Sequence, residues 1–186
     1  MRSASNTSGI RVSAGLIALC LLSACSTYDV IPKQYEKQVN KNVTFEEIKS
    51  SPQSYQGELV VLGGEVLKAT RLEDKTRVEV LQLPLGEEHV PLTEKSRSQG
   101  RFYAFDTGKE ILDPAVLEEG TPITIIGEVT GVTTGKLDES RYQYPTIRIK
   151  DLTKWDRNEM RRWWGPYGYP YYGGYYYRGI RPFYFY

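Results

Sequence analysis

The most reactive side chain in this 186-residue sequence is the thiol of Cys25, which follows Leu22-Ser23-Ala24 at the foot of an apolar run beginning near Ala14. Its chemistry is either that of a free thiol or that of an alkylation site. The second cysteine, Cys20, lies inside the run. His89 is the sole histidine and stands beside Glu87 and Glu88, a set that would suit a metal or proton transfer. One imidazole among loop carboxylates is more often solvated surface than a site. Gly63-Gly64-Glu65 has the look of a phosphate-cradling loop, but strand-like residues flank it and no helix N-terminus follows, so a bulge or a barrel corner is the better reading. Asp106, Asp113, Asp138 and Glu139 are dispersed over turn sequences, and Asp113 is already suited to capping a helix turn at Pro114. No Gly-x-Ser-x-Gly, His-Glu-x-x-His or Ser-x-x-Lys accompanies them. The expectation is a non-enzymatic protein with no catalytic residue, metal or cofactor.

The elements around Cys25 decide between its two chemistries. Arg2 and Arg11 precede the apolar run and small residues end it, the pattern of a secretory signal peptide over residues 1–24. Ala14 to Leu22 is far short of the ~20 apolar residues that span a bilayer. Leu22, Ser23 and Ala24 before Cys25 look like the lipobox of bacterial lipoproteins. That resemblance implies cleavage before Cys25, a diacylglyceryl thioether on its sulfur and an acylated new N-terminus. At roughly 0.8 kcal/mol per buried CH₂, two or more chains anchor stably where one is marginal. Ser26 stands where an Asp would favour inner-membrane retention, so the implied location is the outer membrane, on its periplasmic face by default. An ordinary cleaved signal with a free Cys25 thiol is the alternative.

The residues from Cys25 onward suffice for one domain with a real core. Lysine and arginine number 24 against 23 acidic residues, a net charge of +1, so no electrostatic footprint for nucleic acid is present. With Cys20 removed and Cys25 alkylated, no disulfide remains, and stability rests on packing.

Residues 25–43 are polar and aperiodic and read as a lipidated tether. Thr44 and Glu47 form a capping box, with Val43 and Ile48 as its staple, for a short helix from about Phe45 that stops before Pro52. From Glu58 the texture is β. The first strand is interrupted at Gly63-Gly64, Leu72-Glu73-Asp74-Lys75 is a hairpin loop, and Thr76 to Leu83 is the second strand, ended by Pro84. Residues 85–99 form a long loop, and Gly100 to Asp106 is the third strand. Pro114-Ala115-Val116 gives one helical turn. Thr121 to Gly131 puts Ile123, Ile125 and Val129 on one face and Thr124, Glu128 and Thr130 on the other. Thr133-Thr134-Gly135-Lys136 is the expected turn before the last strand, Tyr142 to Leu152, where Ile147 and Ile149 face inward. Trp155 is expected to pack over one end. Strands joined by hairpins, with a small helix between the third and fourth, define a mainly β fold: a small antiparallel OB-like β-barrel over 44–156. An open sheet with a covering helix is the competing arrangement. On an OB-like barrel the binding candidates are Tyr103, Phe105, Tyr142 and Tyr144.

Several segments carry a wider likeness. Tyr55-Gln56-Gly57, Gly63-Gly64-Glu65-Val66, Thr76-Arg77-Val78-Glu79-Val80 and Leu83-Pro84-Leu85 resemble the Slp family of outer-membrane lipoproteins. The same holds for Gly100-Arg101-Phe102-Tyr103-Ala104, Leu112-Asp113-Pro114, Ile126-Gly127-Glu128-Val129-Thr130-Gly131 and Tyr142-Gln143-Tyr144-Pro145. The resemblance implies an outer-membrane lipoprotein linked to starvation or other envelope stress, without enzymatic activity. It runs to about Trp155, and the stretch from Trp163 to Tyr186 is not expected of that family.

Residues 157–186 are a separate texture, Trp-, Tyr- and Gly-rich with most of the chain's 15 tyrosines. Gly and Pro forbid a regular helix there and aliphatic residues are scarce, so a low-complexity tail without a core is expected. Its aromatic rings, with Arg161, Arg162, Arg178 and Arg181, suit a membrane interface, lipopolysaccharide or peptidoglycan. The partners expected are the outer-membrane bilayer through Cys25 and such glycans through the tail, with no nucleic acid. An envelope enzyme and an assembly factor that adds strands at an open barrel edge are the alternatives. Cys25→Ser should release the protein from salt-washed outer membranes into the soluble fraction; sedimentation unchanged from wild type would refute the anchor.

Overall fold

The computed structural model describes residues 30–108 and 111–156. The signal sequence, Cys25 and residues 157–186 lie outside the described residues. Two short helices, α1 (Lys33–Glu36) and α2 (Phe45–Ser50), precede five strands: β1 (Leu59–Arg71), β2 (Thr76–Leu83), β3 (Arg101–Asp106), β4 (Pro122–Leu137) and β5 (Ser140–Lys154). Single 3₁₀ turns occupy Pro52–Tyr55, Glu87–His89, Lys95–Arg97 and Pro114–Val116.

α2 begins where its capping box places it. Thr44 Oγ1 accepts from the Glu47 N–H and the Glu47 carboxylate accepts from the Thr44 N–H, so two of the helix's unpaired donors are satisfied reciprocally. The Thr44 hydroxyl also donates to that carboxylate at 2.7 Å, and this bond, with the one from the Thr44 N–H, holds the Glu47 carboxyl below the usual carboxylate range. Phe45 and Ile48 are the buried positions of α2, and Phe45 meets Phe102 with ring centroids 5.7 Å apart. The helix therefore plugs the barrel's interior rather than lying on its outside.

The strands close in the order β1-β2-β3-β5-β4, antiparallel at every pair except β3–β5. That order, with the Pro114–Val116 turn between β3 and β4, is the OB barrel the sequence pattern anticipates. Val60, Leu62, Val66, Val78, Val80, Phe102, Ala104, Ile123, Ile125, Val129 and Ile147 fill the interior. Asp113 caps the Pro114 turn through the Ala115 N–H, and both oxygens of Asp106 accept backbone N–H bonds, from Gly108 and Leu112. The loop over 84–99 is fastened by a Glu65–Lys95 ion pair and by a relay in which Trp155 Nε1 donates to Thr124 Oγ1, which donates to the His89 carbonyl.

Three expectations change. First, of the two readings of Gly63-Gly64 the bulge does not hold; the register shift lies between Val66 and Lys68, leaving Leu67 as the extra residue. The glycines answer a close approach instead. A Cβ at Gly63 would sit 2.4 Å from Leu85 Cδ2 and 2.9 Å from the Leu83 carbonyl, and one at Gly64 would sit 2.3 Å from Val80 Cγ1 and 2.5 Å from the Leu81 carbonyl. Second, Thr133-Thr134-Gly135-Lys136 is not a turn. β4 and β5 remain paired to Leu137↔Ser140, and the hairpin turns at Asp138-Glu139, where Asp138 takes φ 53°. β-branched threonines favour the ladder, and a two-residue loop with positive φ matches the twist of its strands. Third, the stretch 30–43 is not a free tether. Ile31 and Val39 bury against Ile126 with Tyr35, Leu59 and Val61 packed around them, and Val39 bridges Leu59 in parallel.

Gly64→Ala should lower stability by about 2 kcal/mol or more, because the carbonyl it meets cannot swing away as a side chain can. Thermal denaturation would register this as a fall in Tm of roughly 5–10 °C.

Candidate functional site

Outward-facing positions of β3 alternate with its core positions, so Phe102 and Ala104 enter the interior while Tyr103 and Phe105 stand on the outer surface. Parallel pairing of Tyr103 with Thr146 brings the start of β5 alongside and carries Tyr144 and Tyr142 onto the same surface. Four aromatic rings assemble there. Tyr103 and Tyr144 stack at 4.1 Å and 8°, Phe105 meets Tyr103 edge-on at 6.3 Å, and Tyr142 meets Tyr144 edge-on at 4.7 Å. The four sequence candidates therefore form one cluster.

A rim of cations overlies the rings. The Arg77 guanidinium lies 4.9 Å from the Tyr103 centroid, Lys75 Nζ 5.6 Å from Phe105, and Lys49 Nζ 5.8 Å from Tyr142, all within cation–π range. Arg101, the neighbour of this rim, spends its charge on Glu79 at 2.9 Å. The Tyr142 hydroxyl accepts from the Arg101 N–H at 3.0 Å, and the Tyr144 hydroxyl donates to the Lys136 carbonyl at 3.2 Å. Tyr144 is fully buried, while Phe105 and Tyr142 are half-buried and present their outer edges. Gly135 makes room for this: a Cβ there would lie 2.9 Å from the Tyr144 ring. The β4–β5 hairpin can thus lie across the aromatic rungs. Burial, reinforced by the Glu79 charge, pushes the Tyr144 phenol up to about 12.

The cations were not singled out by sequence. Arg77 and Lys75 look like ordinary solvated positions of a strand and a turn until the β2–β3 register sets Arg77 opposite Phe105. Lys49 reaches the site from α2, and its Nζ also donates to the Gln99 carbonyl at 2.7 Å.

The other candidates separate. Glu65 lies in a strand with a buried side chain paired to Lys95, so Gly63-Gly64-Glu65 cradles nothing. His89 contributes its carbonyl to Thr124 and has φ 59°. Among the described residues no three His, Cys, Asp or Glu side chains gather as a metal site would require. Asp106 and Asp113 serve backbone N–H groups, and Asp138 and Glu139 stand at the hairpin tip. An open cleft of about 510 Å³ lies between the Pro114–Val116 turn and the end of β5; Glu118, Lys154 and Asp156 line it with Val116 and Trp155. Both of its carboxylates are exposed.

The described part of the chain is thus a closed OB-type barrel bearing an aromatic and cationic outer face, set behind a lipobox-like sequence. Residues 22–183 match the model of the outer membrane lipoprotein Slp family, and the chain belongs to that family. The match reaches residue 183, so the aromatic stretch after Trp163 falls within the family's span, contrary to the expectation above. The chain is 30% identical over 144 residues to the "Uncharacterized lipoprotein YeaY" of Escherichia coli (strain K12), covering 77% of this chain and 71% of that one. It is 28% identical over 146 residues to an "Uncharacterized protein" of Haemophilus influenzae, covering 78% and 76%. Among solved structures, a small single-stranded DNA-binding protein from Streptomyces coelicolor aligns with TM-score 0.37 and 12% identity over 55% of this chain and 97% of that one. An aspartyl tRNA synthetase from Entamoeba histolytica aligns with TM-score 0.40 and 10% identity over 69% of this chain and 23% of that one. Likeness at that level says nothing about a ligand. No helix among the described residues is long and apolar enough to cross a membrane.

The phenol of Tyr144 gives the site a spectroscopic signature. Its folded pKa lies above the unfolded value of about 10, so between about pH 10 and 12 the unfolded chain loses a proton that the folded chain keeps. Its contribution to stability is complete below about pH 10 and disappears as pH rises through 12. A tyrosinate absorbance titration should show a late step near pH 12 that is missing from the titration curve of Tyr144→Phe.

Proposed function

We propose that this outer-membrane lipoprotein is a non-enzymatic binding module whose ligand is an anionic envelope glycan, held on the face built by Tyr103, Phe105, Tyr142 and Tyr144. The observation that carries the reading is the set of three cations, Lys49, Lys75 and Arg77, each within 6 Å of an aromatic ring centroid on one barrel face. Cations beside half-exposed ring edges suit a polymer that alternates sugar rings with phosphate or carboxylate. The part-exposed rings of Phe105 and Tyr142 offer the sugars shallow apolar contact, and the ammonium and guanidinium groups meet the acid. Lipopolysaccharide and peptidoglycan share this chemistry. The aromatic residues 157–186 would extend the contact, and a role under starvation or envelope stress follows from what the family resemblance implies.

A second reading, an envelope hydrolase, draws on Glu118 and Asp156 lining one cleft. Both carboxylates are exposed, and an acid–base pair needs one of them in a low-dielectric setting that raises its pKa. The assembly-factor reading loses the edge it relied on, since β1 pairs with β4 and closes the sheet.

Arg77→Ala combined with Tyr142→Ala should weaken binding of the lipidated protein to purified lipopolysaccharide or peptidoglycan fragments by about tenfold, at roughly 0.5–1 kcal/mol per lost cation–π contact or stacking edge. Unchanged binding to both polymers would remove the face from consideration. Turnover of peptidoglycan that disappears in Glu118→Gln or Asp156→Asn would transfer the function to the cleft.

A further inference from the structure

The barrel has a direction relative to the bilayer, and the N-terminal segment sets it. Val30 and Ile31 are buried, and Ile31, Tyr35 and Val39 lie on the seam where β1 pairs with β4. Four residues separate Cys25 from Val30, and the five peptide units between them reach at most about 18 Å. The body therefore begins within that distance of the lipidated sulfur, on the β1–β4 side. Strand order around the barrel is β1-β2-β3-β5-β4, so the element diametrically opposite the β1–β4 seam is β3. β3 carries Tyr103 and Phe105.

The charges on the seam side favour the same pose. Lys33, Lys37 and Lys41 are exposed along the segment, against one exposed carboxylate, Glu36. Glu58 accepts from Asn40 at 3.2 Å, and Glu128 is paired with Lys150 at 2.9 Å and Arg148 at 3.6 Å. The lysines are the groups left to meet phosphates, and a cation near an anionic membrane surface is worth about fivefold in affinity.

We infer that residues 30–41 form the membrane-apposed surface, with Lys33, Lys37 and Lys41 against anionic phospholipid headgroups, and that the aromatic and cationic face on β3 is thereby turned away from the lipid into the periplasm. The orientation rests on the Cys25 anchor and gives the proposed binding face its access to a polymer outside the bilayer.

The test uses the full lipidated chain with one reporter thiol. Cys20 leaves with the signal and Cys25 is alkylated, so Gln34→Cys or Thr107→Cys supplies the single reactive sulfur. Both positions are exposed, one on the docked segment and one at the end of β3. A fluorophore at each is measured in vesicles of phosphatidylethanolamine and phosphatidylglycerol containing a headgroup-nitroxide lipid. Quenching should be several-fold stronger at position 34 than at 107. Equal or reversed quenching in protein that floats with the vesicles overturns the orientation and leaves the anchor standing. Protein that does not float overturns the anchor and the orientation together. The triple variant Lys33→Glu, Lys37→Glu, Lys41→Glu should lose most of the difference; an undiminished difference would overturn the headgroup contacts.

Discussion

The absence of two β-carbons governs this fold. Gly63 and Gly64 are paired on both sides at once, to Leu83 and Gln82 of β2 and to Thr124 and Ile123 of β4. With Glu65 they are the residues at which β1 passes from one partner to the other and the sheet rolls shut. Backbone carbonyls of β2 approach so closely there that any side chain would hold the strands apart. A sheet that could not close would leave β1 and β4 as open edges, with two rows of unpaired N–H and C=O groups. Closure also fixes what lies opposite what: a seam made by β1 and β4 demands β3 on the far side. The location of the aromatic face is therefore a consequence of two missing methyl groups some distance from it.

On that face, the rings' own packing limits what recognition can mean. Tyr103 has Arg77 over it at 4.9 Å and Tyr144 stacked on it at 4.1 Å, and Tyr144 is buried besides. A nucleobase needs an open ring face to stack on, as single-strand-binding barrels supply. Here the Tyr103–Tyr144 pair is spent on itself, and what remains outward are ring edges and flexible cations. Such a surface discriminates by charge and by shallow apolar contact, which is why an acidic sugar polymer suits it better than a stacked base. The near-neutral chain makes the same point from a different direction, since it lacks the excess of positive charge that would draw a polynucleotide.

How much of this was legible in the residues depended on whether the deciding interaction was local. Thr44 and Glu47 satisfy each other three residues apart, so α2 could be read to its first residue. Pro84 ends β2 because it cannot donate to a ladder, again a local fact. The aromatic cluster was half legible: alternation puts Tyr103 with Phe105 and Tyr142 with Tyr144, but only the parallel β3–β5 register joins the pairs. Its cations were not legible, because Lys49 and Arg77 come from elements that propensity treats as solvent-facing. Gly135 misled for a related reason. A glycine after two threonines suggests a turn, and nothing nearby in sequence announces the Tyr144 ring that occupies the space.

The segment 30–43 shows the same limit in reverse, and its consequence is larger. Its composition is polar and its hydrophobic residues, Ile31, Tyr35 and Val39, follow an i, i+4, i+8 spacing across only a single turn of helix, so no amphipathic element was apparent. Those three side chains find their partner in Ile126, on a β4 face that the alternation pattern had assigned to solvent. Docking them shortens the connection to Cys25 from some eighteen residues to four. At eighteen residues a flexible chain lets the barrel tumble freely, its mean reach growing with the square root of length. At four, the reach is smaller than the barrel itself, and rotation about the anchor is restricted by the body's own bulk. A few apolar contacts on the outside of a closed barrel thus change an anchor that only retains the protein into one that also orients it.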